Sequence, residues 1–85
     1  MENQEGTNRE LTFGEKAVGL TFNPSGNSEV TKCKQGFANL IDQLNDFRND
    51  KNPSLSSEAK RHASIAITEM ESAQMRAVKA LTFVD

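Results

Sequence analysis

EAKRHASIAITEMESAQMRAVKAL, running from Glu58 to Leu81, decides the fold. Within it Ala63, Ala66, Met70, Ala73, Ala77 and Ala80 recur in steps of three and four, the spacing that keeps one face of a helix in register. Most of that seam is alanine, which has the highest helix propensity and lets another backbone come close. A second stripe, Ile67, Met70, Gln74, Val78 and Leu81, lies beside the first. The combined apolar arc is wider than one neighbouring helix covers. The stretch therefore reads as a helix that packs against several partners, some of them from other chains.

Upstream of it, Asp50 to Leu55 (DKNPSL) is a connection, ended by Pro53 and the serines around it. Ser56 or Ser57 is placed to cap the following helix, and Glu58 complements its N-terminal dipole. Before the connection, Val30, Cys33, Phe37, Leu40 or Ile41, Leu44 and Phe47 form another helical stripe. Lys32, Gln35, Asn39, Asp42, Asn45 and Asp46 fall on the opposite side. Asn27 or Ser28 is the expected cap of this helix, with Glu29 in its first turn. It runs to about Asn49, some 33 Å at about 1.5 Å per residue. Gly36 in its interior costs about 1 kcal/mol against alanine, and marks a candidate close approach of another backbone. Two helices of similar length joined by a short loop pack antiparallel, so the fold class is all-α, an αα-hairpin.

Leu11 to Gly26 (LTFGEKAVGLTFNPSG) has a different character. Its interior glycines, Gly14 and Gly19, argue against a stable helix, and Gly19 to Phe22 reads as a short extended piece. Asn23-Pro24-Ser25-Gly26 is a turn, because the residue before proline leaves the helical region and Gly26 tolerates positive φ. The segment is expected to form an ordered N-terminal arm over the helices. On the residues alone its plainest role is a hydrophobic strap with Phe22 as its plug. Met1 to Glu10 is polar and acidic and is expected to be a flexible tail, leaving residues 11–85 as one domain. At the other end, Phe83 is expected to fold back or to reach another subunit.

Size sharpens the expectation of self-association. A chain of 85 residues with a single cysteine and a single histidine cannot staple itself with an internal disulfide, and makes a poor metal cage. Assembly with other copies is then the remaining source of stability. The formal net charge of −2 argues against a binder of polymeric DNA or RNA. It leaves room for a small anion held by a local cluster. No apolar run reaches the roughly 20 residues of a membrane span, and the polar N-terminus is no signal peptide. A cytoplasmic protein with Cys33 reduced is expected.

No catalytic constellation is present. His62 stands beside Lys60 and Arg61 near a helix start, and there is no Walker loop, dinucleotide fingerprint or zinc-protease motif. Binding without turnover is the better reading, with no cofactor and no metal. Two clusters offer donors to an anion. One is Ser25, Gly26, Asn27 and Ser28 at a helix start, with Lys32 and Lys34 further along. Phe22, just before that turn, offers a face for a base to stack on. The other is Lys60-Arg61-His62. Each is equally readable as a solvated basic patch. A helical interaction module, an antitoxin or adaptor whose partner lies along the alanine seam, is the competing reading.

Ala17-Val18-Gly19-Leu20-Thr21-Phe22-Asn23-Pro24-Ser25-Gly26, then Leu40-Ile41-Asp42, then Lys60 to Thr68 and Ala73 to Ala80, together resemble the phage anti-CBASS cyclic-oligonucleotide sponges, the second anti-CBASS family, related to the hairpin domain of a Thoeris inhibitor. The resemblance covers about residues 11 to 82. It implies a helical hairpin assembled as a homohexamer. It also implies sequestration, without cleavage, of cyclic di- and trinucleotides (3′,3′-cGAMP-like and cyclic tri-AMP-like) in two kinds of intersubunit pocket. The bacterial CBASS response would then stay silent in the infected host cytoplasm. By the same resemblance, Phe22 stands where the family has a base-stacking aromatic, usually tyrosine, with Phe13 as an alternative. Lys34 matches the lysine of the dinucleotide pocket, with Lys32 as its rival. Arg61, beside Lys60, matches the arginine of the trinucleotide pocket. Assigning Asn23, Ser25 and Asn27 to the dinucleotide pocket is an inference from their place in the turn.

Overall fold

The computed structural model describes residues 9–85; the first eight residues of the expected tail lie outside them. Three helices follow in order: α1, Phe13–Ala17; α2, Ser28–Arg48; and α3, Ser57–Thr82. No strand occurs among the described residues. Helices α2 and α3 pack against each other, and α1 packs on α2. Asn27 lies beside Leu81 at one end of the pair, and Arg48 reaches the Ser64 hydroxyl toward the other, so the two long helices are antiparallel.

The ends of the long helices follow from their caps. The Asn27 side chain accepts from the Glu29 N–H at 2.8 Å, and Ser56 Oγ accepts from the Ala59 N–H at 3.0 Å. Each satisfies one of the donors a helix start leaves open. The Asn23–Gly26 turn is also present, closed by Gly26 N donating to Asn23 O at 3.1 Å, with Gly26 at φ 66°. A side chain there would strain the backbone.

Between the helices the buried face is narrower than expected, and it is turned. On α2 the buried positions are Val30, Lys34, Ala38 and Ile41; Leu40 is exposed and Cys33 only half-buried. On α3 they are Ala63 of the alanine seam and Ile67 and Gln74 of the second stripe, so the face turned to α2 runs between the two stripes. Ala73 and Ala80 remain exposed. Val18, Ala38, Ile41 and Ile67 form the core, with Leu20, Phe37, Leu44 and Met70 against it. Phe83 does not fold back onto this chain; it is 64% exposed.

Two readings of the N-terminal segment are corrected. A helix does form across Gly14, and residues 18–21 make a turn, not an extended piece. Thr12 and Glu15 start α1 with a reciprocal capping box: Glu15 N donates to Thr12 Oγ1 at 3.1 Å, and Thr12 N donates to the Glu15 carboxylate at 3.0 Å. Gly14 is the point of close approach. A Cβ there would lie 2.1 Å from the Ala38 carbonyl oxygen, and its N–H donates to Asp42 Oδ1 at 2.7 Å. Asp42, expected on the solvated side of α2, is therefore a tie to α1. At Gly36, where close approach was expected, a Cβ would meet nothing within 4 Å among the described residues outside its own stretch of helix.

Candidate functional site

Three polar side chains are buried among the described residues: Glu15, Lys34 and Gln74. All three act on residues 9–22. The Glu15 carboxylate takes 2.8 and 3.1 Å hydrogen bonds from Arg9 and a 3.3 Å one from Gln35. The Arg9 guanidinium foremost, then the Thr12 backbone N–H, holds its pKa down to about 2. The Lys34 Nζ donates to the Gly19 carbonyl at 2.9 Å and to the Phe22 carbonyl. Two of its three protons are thus engaged, and the turn that carries Phe22 is anchored on α2.

That anchoring brings an aromatic face and a positive charge together. The Lys34 Nζ lies 5.5 Å from the centroid of the Phe22 ring, within cation–π range, while the Phe22 residue is 71% exposed. Two adjoining clefts, of about 210 and 480 Å³, share Phe22, Lys34 and Val78 in their walls. Asn23, Pro24, Ser25 and Thr82 line the first; Val18, Gly19, Gln74 and Met75 line the second. An exposed ring face beside an ammonium group suits a planar base attached to a phosphate.

The other expected residues fall into place unevenly. The Asn23 amide donates to Asn27 O at 2.8 Å and to Thr31 Oγ1 at 3.0 Å. Ser25 Oγ donates to Asn23 Oδ1 at 2.8 Å and accepts from Asn27 N at 3.2 Å. These three side chains brace the turn by bonding to one another and to the start of α2. Lys32 is exposed on α2 and lines neither cleft. Phe13 pairs with another cation: the Arg48 guanidinium lies 5.4 Å from its ring. Lys60 donates to the Asp50 carbonyl, and the exposed Arg61 pairs with Glu58 at 2.6 Å. Glu58 also meets His62 at 3.1 Å. Arg61 and Val78 are separated by about 25 Å along α3 at about 1.5 Å per residue, so the two basic clusters occupy opposite ends of the hairpin.

Sequence reasoning did not assign Val18, Gln74, Val78 and Thr82 to the clefts. Gln74 and Val78 carried a faint signal, since both stand in the second stripe of α3. No group of histidine, cysteine and carboxylate side chains among the described residues is arranged to hold a metal ion, and no helix there is long and apolar enough to cross a membrane.

Comparison with known proteins gives one family. The model for the Acb2/Tad1 hairpin domain matches residues 15–82. No curated protein and no solved structure matches the chain. The matched span includes both long helices, the Phe22 turn and both basic clusters, and leaves out Phe13. With four fifths of its length covered by that one hairpin model, the chain belongs to the Acb2/Tad1 hairpin-domain family, the anti-CBASS and Thoeris anti-defence sponges that bind cyclic oligonucleotides.

Proposed function

We propose that this chain sequesters cyclic dinucleotides and cyclic trinucleotides intact, in pockets completed by other copies of itself, and so suppresses CBASS immunity. The supporting observation is the Lys34 ammonium, buried to 5% exposure beneath the open face of Phe22. A base stacks on Phe22, and the remaining Lys34 proton points charge at a phosphate. Asn23 and Ser25 give the first cleft its rim, and Asn27 caps the helix behind it. Phenylalanine in place of the family's usual tyrosine keeps the stacking face and gives up the hydroxyl. Arg61, with Lys60 beside it, serves the trinucleotide at the other end of the hairpin.

The clefts are open on their outer side, whereas sites for small ligands bury most of the ligand surface. A homohexamer supplies the second wall, and the exposed part of the alanine seam on α3 is the surface through which copies meet. A sponge must also bind in the nanomolar range, about −12 kcal/mol, to compete with an immune effector. A preassembled oligomer limits the ordering cost that works against such affinity.

Calorimetry with both ligand classes tests the reading. Phe22→Ala is expected to weaken cyclic dinucleotide binding roughly tenfold to a hundredfold, the loss of about 1–3 kcal/mol of stacking. Trinucleotide binding should be nearly unchanged. Arg61→Ala should reverse the pattern. Equal damage to both ligands by both variants, with assembly intact, would overturn the two-pocket assignment. No heat with any cyclic nucleotide would favour the adaptor reading, which the exposed part of the alanine seam also accommodates.

A further inference from the structure

The third buried polar side chain, Gln74, belongs to α3, the helix that supplies no charged group to the Phe22 clefts. It is 5% exposed in a stripe that is otherwise apolar. With its amide oriented to satisfy hydrogen bonding, Nε2 donates to the Val18 carbonyl at 3.0 Å and Oε1 accepts from Met75 N at 2.9 Å. Val18 ends α1 and opens the turn whose next carbonyls, Gly19 and Phe22, receive Lys34. The turn is therefore tied to both long helices: to α2 through Lys34 and to α3 through Gln74.

A buried glutamine is a costly way to fill an apolar seam unless its hydrogen bonds matter, because a methionine or leucine would pack there without losing hydration. Here the bond goes to the residue that sets where the turn begins. We infer that Gln74 is a positioning residue for the ligand site: through the Val18 carbonyl it fixes the turn so that Lys34 sits beneath the Phe22 ring. The inference rests on the proposed function for its ligand, and on the hydrogen bonds alone for the positioning.

Gln74→Met, unbranched and of similar length but without a donor, tests it in the full-length protein. Two quantities are read: calorimetric affinity for a cyclic dinucleotide and for a cyclic trinucleotide, and hydrogen exchange of the Leu20 and Phe22 amides. Both amides are bonded within the segment, to the carbonyls of Glu15 and Gly19. The expected result is roughly tenfold weaker dinucleotide binding, the scale of one lost buried hydrogen bond. Trinucleotide affinity should be unchanged, and the two amides should exchange faster while those of α2 and α3 keep their protection.

Unchanged dinucleotide affinity and unchanged exchange would overturn the inference. So would loss of protection throughout α2 and α3, which would make Gln74 a general packing residue. If Gln74→Met does not fold, Gln74→Glu, which keeps the shape and cannot donate when ionised, is read in the same way. If the wild-type protein takes up no cyclic dinucleotide, the proposed function fails, and exchange at Leu20 and Phe22 still decides whether Gln74 holds the turn.

Discussion

At the scale of single residues, charges set beside partners of known sign give two measurable consequences. Arg61 is exposed and pairs with Glu58, so under the proposed function a ligand phosphate would compete with that carboxylate. Surface pairs of this kind are screened by solvent and contribute little. Glu58→Gln is therefore expected to strengthen cyclic trinucleotide binding about two- to fivefold in a calorimetric titration; weaker binding would mean that Glu58 orients Arg61. Glu15 behaves differently, because it is buried. Its pKa is lowered from 4.5 to about 2, first by Arg9 and then by the Thr12 backbone. A carboxylate depressed in the folded state adds stability above its unfolded pKa, and that stability is lost as the pH falls toward the folded value. Urea unfolding of the wild type and of Glu15→Gln should thus differ most above about pH 4.5 and converge near pH 2. A gap that stays constant with pH would show that Glu15 acts by packing and not by charge.

At the scale of elements, the hairpin and the Asn23–Gly26 turn were legible in the sequence, and the short helix α1 with the turn after it was not. Caps are local signals, and Asn27 and Ser56 lie where composition and spacing put them. The face each helix buries is a non-local outcome. Ala38 is fully buried because α1 lies on one side of it, and the sequence around Ala38 carries no sign of that neighbour. Gly14 was read as a helix breaker for the same reason: its meaning depends on a carbonyl at position 38. Lys34 was legible as a charge near the turn but not as a buried one, because its burial depends on the Gly19 and Phe22 carbonyls folding over it.

The two helical glycines make opposite predictions. Gly14→Ala would set a methyl against the Ala38 backbone, which cannot yield as a flexible side chain does. Even after the helix gain of about 1 kcal/mol, a net loss of about 2 kcal/mol is expected from such overpacking, and calorimetry should show a Tm lower by about 8–16 °C. Gly36→Ala meets open space among the described residues and should raise stability by about 0.5–1 kcal/mol. A Gly36→Ala protein that folds but no longer assembles would instead place a neighbouring copy's backbone at that position.

At the scale of the whole molecule, one chain leaves much unfinished. Phe22, Leu40, Met75, Phe83 and Val84 are all exposed, along with Ala73 and Ala80 of the seam. Among the described residues, α2 and the turn that follows α1 cover only part of the wide apolar arc of α3. The proposed sponge accordingly needs no catalytic group, only enclosure and charge, and the described residues hold one buried ammonium beneath one open aromatic face. Incubating the protein with a limiting amount of cyclic dinucleotide, then quantifying free ligand before and after heat denaturation, tests this most directly. Free ligand is expected to disappear on mixing and to return intact, in full, on heating. Free ligand that never falls, or that returns cleaved, would contradict it.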